Sequence, residues 1–162
     1  MENLRQSEFQ GTILLINGPN LNCLGRREQE HYGSFTLRDV EAEVEDALQG
    51  TGYDLISYQS NHEGDLLDFI QENLDRAAGI LINAGAFTHY SYALLDCLKL
   101  FHGPIIEIHI SDIENREEFR KISVIRPACR DWVGGLGLKS YRVGTEKLLH
   151  YLSEDSVSAP QA

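Results

Sequence analysis

Thr12-Ile13-Leu14-Leu15-Ile16, running directly into NGPNLNCLGRREQEHYG over Asn17–Gly33, is the stretch that decides the fold. The apolar run reads as a strand. The seventeen residues after it hold glycine and proline turn signals, three Asn, two adjacent Arg and one Tyr, with neither helical nor strand periodicity. A strand that stops abruptly and opens into a long polar loop is where α/β proteins place their chemistry. Arg27 and Tyr32 lie in this one loop, so a guanidinium can stand beside a phenol. A phenol, with a pKa near ~10, is a poor base until a fixed positive charge favours its phenolate.

Working outward, apolar runs alternate with amphipathic segments. Leu37, Val40, Val44, Ala47 and Leu48 recur at helical spacing, and Gly50 and Gly52 stop that helix. Tyr53 to Tyr58 reads as a second strand ending in Gln59-Ser60-Asn61. A second helix follows with Leu66, Leu67, Ile70, Leu74 and Ala77 on one face, then a strand over 79–82 closed by Asn83-Ala84-Gly85. Residues 91–100 read as a helix ended by Gly103-Pro104, and Ile105, Ile106, Ile108 and Ile110 as a fourth strand. The spacing predicts a charged helix over 114–119, a fifth strand over the glycine-rich 132–138 and a last helix over 143–152. Strands joined by helix-length connections imply a parallel sheet. The reading is a single α/β domain, a flavodoxin-like, doubly wound five-stranded parallel sheet of order 2-1-3-4-5 over residues 12–152. Residues 1–11 and 153–162 read as N- and C-terminal tails.

Composition narrows the function classes. A chain of 162 residues with 42% hydrophobic and 24% charged residues can bury one core. A net charge of -11 argues against nucleic acid or an anionic membrane as partner, so an anionic substrate would need local arginines. Cys23, Cys97 and Cys129 form no CxxC, which suits a reducing compartment. MENLRQSEFQ is no secretory signal and no apolar run reaches membrane-span length, so the expectation is a cytoplasmic protein.

Ligands of open parallel sheets bind beyond the carboxyl ends of the strands. Strand 1 ends in NGPN, strand 3 in NAGAFTH and strand 4 in EIHISD, each bringing an amide or imidazole to one edge. The rival motifs are missing. NGPNLN is not GxGxxG, and there is no P-loop, HExxH or acidic cluster after strand 1. His89 and His109 have no third ligand at fitting spacing, so no metal is expected. An FMN-binding carrier and a catalytically silent pocket protein are the other readings of the same frame.

These strings, in this order and at these separations, resemble the type II 3-dehydroquinate dehydratases over roughly residues 12–150. The resemblance implies reversible dehydration of 3-dehydroquinate, a small anionic substrate, to 3-dehydroshikimate through an enolate. The setting would be the shikimate pathway of aromatic amino acid biosynthesis or quinate catabolism. It also implies no cofactor or metal and a homo-oligomer, a dodecamer built of trimers. By residue, it implies Tyr32 as the base, with Arg27 as its electrostatic partner, and His109 as the acid. Asn20 would steady the enolate oxygen through a water. Alone, Tyr32 and Arg27 would read as an exposed turn aromatic and a solvated charge, and Asn20 as an Asx turn; the resemblance reverses the first reading. Glu107, two residues before His109 on the same strand face, could orient its imidazole.

For the substrate, the resemblance implies contacts from Asn83 and His89 of NAGAFTH. It places a carboxylate site at Ile110-Ser111, where N–H groups open a helix, and gives a hydroxyl grip to Arg120. Asp96 would reach in from a neighbouring subunit. Arg116, four residues before Arg120 on the same helix face, is expected behind the contacting residues. Gln29 stands where proline is common, Cys23 where leucine is usual and Tyr92 where a small β-branched residue is usual, which bears on the lid and subunit packing. None of the four lysines, Lys99, Lys121, Lys139 and Lys147, sits at a predicted strand end facing the pocket, so no imine is expected.

Overall fold

In the computed structural model, which describes residues 7–26 and 28–159, β1 (Gly11–Asn17) and β3 (Ala77–Asn83) are adjacent central strands. Both are apolar along most of their length because both faces are covered. β2 (Tyr53–Gln59) flanks β1 at one edge; β4 (Ile105–Ile108) and β5 (Asp131–Val133) continue beyond β3. All neighbours are parallel and the order is β2-β1-β3-β4-β5. This is the flavodoxin-like order that the five expected strands fit, although the sequence by itself does not determine it.

The helices are α1 (Gln29–Tyr32), α2 (Leu37–Leu48), α3 (Glu63–Asn73), α4 (Tyr92–Leu98) and α5 (Lys139–Ser158). The two-residue repeat of the strands divides their side chains between two layers. Ile13, Leu15, Leu81, Ile106 and Ile108 face α2 and α5, packing on Val40, Val44, Tyr141 and Leu148. Leu14, Ile16, Ile80, Ile82 and Ile105 face α3 and α4, packing on Leu66, Ile70, Leu94 and Leu98. α2 is started by a capping box in which Thr36 and Asp39 each satisfy the other's backbone N–H. No helix among the described residues is long and apolar enough to cross a membrane.

The strand order reverses between β1 and β3, so the connections that follow them run to opposite sides and leave a crevice. Gly18 brings these tails into contact: its N–H donates to Asn83 O at 2.8 Å. A Cβ at Gly18 would lie 2.3 Å from the Ala84 carbonyl oxygen, so only glycine fits.

The structure departs from the sequence expectations at several places. Ala77 opens β3 and does not belong to the preceding helix. The charged stretch 114–119 is not a helix but two 3-10 turns, Ile113–Asn115 and Glu118–Arg120. Asp112 caps the first by accepting from Glu114 N at 3.1 Å, and Arg116 is then extended (φ -116, ψ -165), which breaks the register. Arg116 and Arg120 therefore do not share a helix face. β5 stops at Val133. Gly135 and Gly137 take left-handed φ of 81 and 61, and their N–H groups donate to Ser111 O and Ile110 O, both at 3.1 Å. The glycines thus hold the tail of β4 instead of extending a strand. Ile110 lies beyond β4 for the same reason. At the C-terminus, residues 153–158 are the last turns of α5 and not a tail. Arg130 pairs with Asp155 at 3.4 Å and His150 with Glu154 at 3.3 Å, which fastens them.

Candidate active site

A cavity of about 90 Å³ lies at the carboxyl ends of β1, β3 and β4. Asn20 reaches its wall from the first tail, Asn83 and His89 from the second, His109, Ile110 and Ser111 from the third. Tyr32 closes it from α1, and Arg116 and Arg120 come from the turns after β4. A second cavity of about 350 Å³ shares Tyr32, Ile110, Ser111 and Arg116 as its wall and opens towards Gly135 and Gly137. The larger hollow at the other end of the sheet, between Phe9 and Tyr53, has no Arg, Lys or His in its lining among the described residues.

The phenol of Tyr32 is 7% exposed and accepts from Arg116 Nη1 at 2.7 Å. The same nitrogen lies 3.4 Å from Ser111 Oγ, and the guanidinium carbon sits 5.3 Å from the Tyr32 ring centre. Arg116 was expected behind the contacting residues; it stands at the cavity wall, on the phenol itself. The loss of helix at its own position turns it there. Arg27 lies outside the described residues. Asn20 is left-handed at φ 67, and its N–H donates to Asn61 Oδ1 at 2.9 Å, so the tail of β2 steadies it.

On the other side, His109 Nε2 is 2.5 Å from Glu107 Oε1. A carboxylate accepts only, so Nε2 carries the hydrogen and Nδ1 is the nitrogen left to exchange a proton with the cavity. Glu107 is fully buried and is held a second time by Arg126, whose Nε reaches Oε2 at 3.1 Å. Arg126 in turn lies 4.0 Å over the Trp132 ring. Burial pushes the Glu107 carboxyl up, but His109 and Arg126 outweigh it and hold it below its ordinary value.

His89 Nδ1 lies 2.8 Å from Ile122 O, which makes it the protonated nitrogen and turns Nε2 to the cavity as an acceptor. Burial lowers its affinity for a second proton, with the Ile122 carbonyl opposing. Arg120 is anchored by Glu117, Nε to Oε2 at 3.0 Å. The N–H groups expected at Ile110-Ser111 precede only a three-residue 3-10 turn, which Asp112 caps. Asp96 is exposed on α4 and does not line the cavity of its own protomer.

The family description for class II dehydroquinase matches residues 11–149. The chain belongs to the class II dehydroquinase family. A 3-dehydroquinate dehydratase of Roseiflexus castenholzii is 49% identical over 137 residues, covering 85% of this chain and 87% of that protein. The crystal structure of the type II dehydroquinase from Butyrivibrio crossotus superposes with a TM-score of 0.82 at 44% identity, covering 86% of this chain and 97% of that one. The type II dehydroquinase from Propionibacterium acnes gives a TM-score of 0.83 at 37% identity, covering 89% and 99%.

Two residues of this class II dehydroquinase that steady the site, Arg126 and Asn61, were not among those expected from the sequence. Only Asn61, at the end of the second strand, carried a signal, since it closes a strand tail as Asn20 and Asn83 do. Arg126 yields a prediction. Because Glu107 binds a proton less readily folded than unfolded, its stabilisation is complete above the unfolded value near ~4.3. It is lost as pH falls through the lower folded value. Glu107→Gln should cost about 1.5–3 kcal/mol near neutral pH, since a neutral amide replaces the charged acceptor of the His109 and Arg126 hydrogen bonds while the part-exposed Arg126 stays in reach of water. Chemical denaturation should find this gap closing as the pH is taken below about 4, and a gap constant with pH would contradict the ion-pair account.

Proposed function

We propose that this class II dehydroquinase is a 3-dehydroquinate dehydratase that works through an enolate, with Tyr32 as base and His109 as acid. The single observation that carries the reading is that one cavity is lined by a phenol held by a guanidinium and by an imidazole held by a buried carboxylate. Tyr32, its oxygen held by the Arg116 guanidinium at 2.7 Å and with Arg27 as its further electrostatic partner, acts as phenolate and takes the proton from the carbon next to the ketone. The C–H electron pair moves to the carbonyl oxygen, giving an enolate that Asn20 steadies through a water. The enolate then re-forms the ketone, the bond to the hydroxyl breaks, and His109 supplies the proton that lets it leave as water. The organic product is the conjugated ketone 3-dehydroshikimate.

Glu107 orients the imidazole and is not itself in contact with substrate. Asn83, His89 and Arg120 hold the hydroxyls, and Ile110 and Ser111 the carboxylate. Asp96, exposed on α4, reaches a neighbouring protomer's cavity in a dodecamer of trimers. The enzyme works in the cytoplasm, in aromatic amino acid synthesis or quinate breakdown. Mixing purified protein with 3-dehydroquinate should raise the ultraviolet absorbance of the conjugated product. A flat trace at substrate levels well above ordinary KM values, about 1 mM, would contradict the assignment.

A further inference from the structure

Tyr141 is fully buried in the first turn of α5, and its hydroxyl stands between two side chains from the ends of β1 and β3. It donates to Asn17 Oδ1 at 2.7 Å and accepts from Asn83 Nδ2 at 2.9 Å. The direction of this relay is set at its far end, because Gly85 N–H donates to Asn83 Oδ1 at 3.2 Å. Asn83 therefore cannot turn its oxygen to the phenol without losing both bonds. Each end of the amide keeps one unused position, a second N–H on Nδ2 and a second lone pair on Oδ1. Asn83 lines the cavity, whereas Tyr141 and Asn17 do not.

Two features mark the relay as more than core packing. Asn17 Nδ2 is buried with no hydrogen-bond partner, although a residue kept only to fill space would be apolar there. Its other end, Oδ1, is what takes the Tyr141 proton. Burial also pushes the Tyr141 phenol well above its ordinary value, so the hydroxyl stays neutral and the relay keeps one polarity through the working pH range.

We propose that Tyr141, which touches no substrate, is a positioning residue: held by Asn17, it anchors Nδ2 of Asn83 and so fixes the place from which that amide meets the substrate. The inference rests on Asn83 being a substrate contact, as read above. With the hydroxyl gone, Gly85 N–H still holds Oδ1 but Nδ2 loses its anchor, so the amide is left on one hydrogen bond and swings out of the position from which it meets the substrate. Contact of this kind is made in the ground state and the transition state alike, so its loss raises KM and leaves kcat in place.

The test is steady-state kinetics on wild type, Tyr141→Phe, Asn83→Ala and the double variant. Tyr141→Phe should raise KM for 3-dehydroquinate roughly 3- to 10-fold, with kcat within about 3-fold and an unchanged pH profile. In the Asn83→Ala background the same substitution should add no further rise in KM. A merely structural tyrosine would lower kcat through loss of folded enzyme and act additively with Asn83→Ala. If Tyr141→Phe does not fold, Asn17→Ser is read in its place, with the same rise in KM expected. An unchanged KM, or additive effects, overturns the positioning role. Turnover by wild type separates the two readings. With it, an unchanged KM sinks only this inference; without it, the dehydratase reading and this one fall together.

Discussion

Turnover of Tyr32→Phe falls by about 10²- to 10⁴-fold while binding of a substrate analogue stays close to wild type. The ring keeps its place as the 7%-exposed side chain of α1, and Leu21 and Leu24 remain in the same core layer. Only the hydroxyl that accepts from Arg116 at 2.7 Å is removed. Phenylalanine can neither take the proton nor hold the negative charge, so no residue at that position starts the elimination. Arg116 keeps Ser111 Oγ within 3.4 Å, which limits collapse of the cavity wall. Single-turnover rates measured beside calorimetric binding separate the two effects. Near-normal turnover would remove Tyr32 from the chemistry.

His109→Ala should also cost about 10²-fold or more in dehydration, but at a different step. In the proposed mechanism proton removal by Tyr32 precedes loss of the hydroxyl, so exchange of the substrate's α-proton with deuterated solvent should continue in the variant. Nuclear magnetic resonance of the substrate in deuterium oxide reads this directly. Loss of exchange together with dehydration would mean that His109 supports binding or folding instead of acting as the acid. Removing the imidazole also takes one partner from the buried Glu107 carboxylate, though Arg126 stays at 3.1 Å. Folding stability should therefore be checked in the same preparation.

The frame was legible because its determinants are local and repeated. The runs at 13–16, 80–82 and 105–106 are buried on both faces, and in the sequence they stand out as unbroken apolar strings. The polar tails after them, at Asn17–Asn20, Asn83–His89 and His109–Ser111, could be assigned to one edge because parallel strands all end on the same side. What could not be read depends on distant partners. Residues 114–119 have helical composition, yet Arg116 is extended and its guanidinium is drawn to Tyr32, 84 positions earlier. The glycines at 135 and 137 look like a strand's end until their N–H groups are seen bonding the tail of β4. Tyr141 is one tyrosine among seven, and nothing in its neighbourhood announces that it bridges Asn17 and Asn83.

An enolate mechanism needs no amine, and the lysines agree with that. Lys147 is 2.9 Å from Asp131 at the start of β5, Lys121 pairs with Glu118 at 2.6 Å, and neither these nor Lys99 and Lys139 line the cavity. Imine formation would require a lysine within reach of the ketone, with its nitrogen uncharged. The most direct test is to incubate the enzyme with 3-dehydroquinate and borohydride, then measure residual dehydratase activity and intact mass together. The account predicts an active enzyme of unchanged mass. Inactivation, with the mass of one reduced ligand added to a lysine, would contradict it.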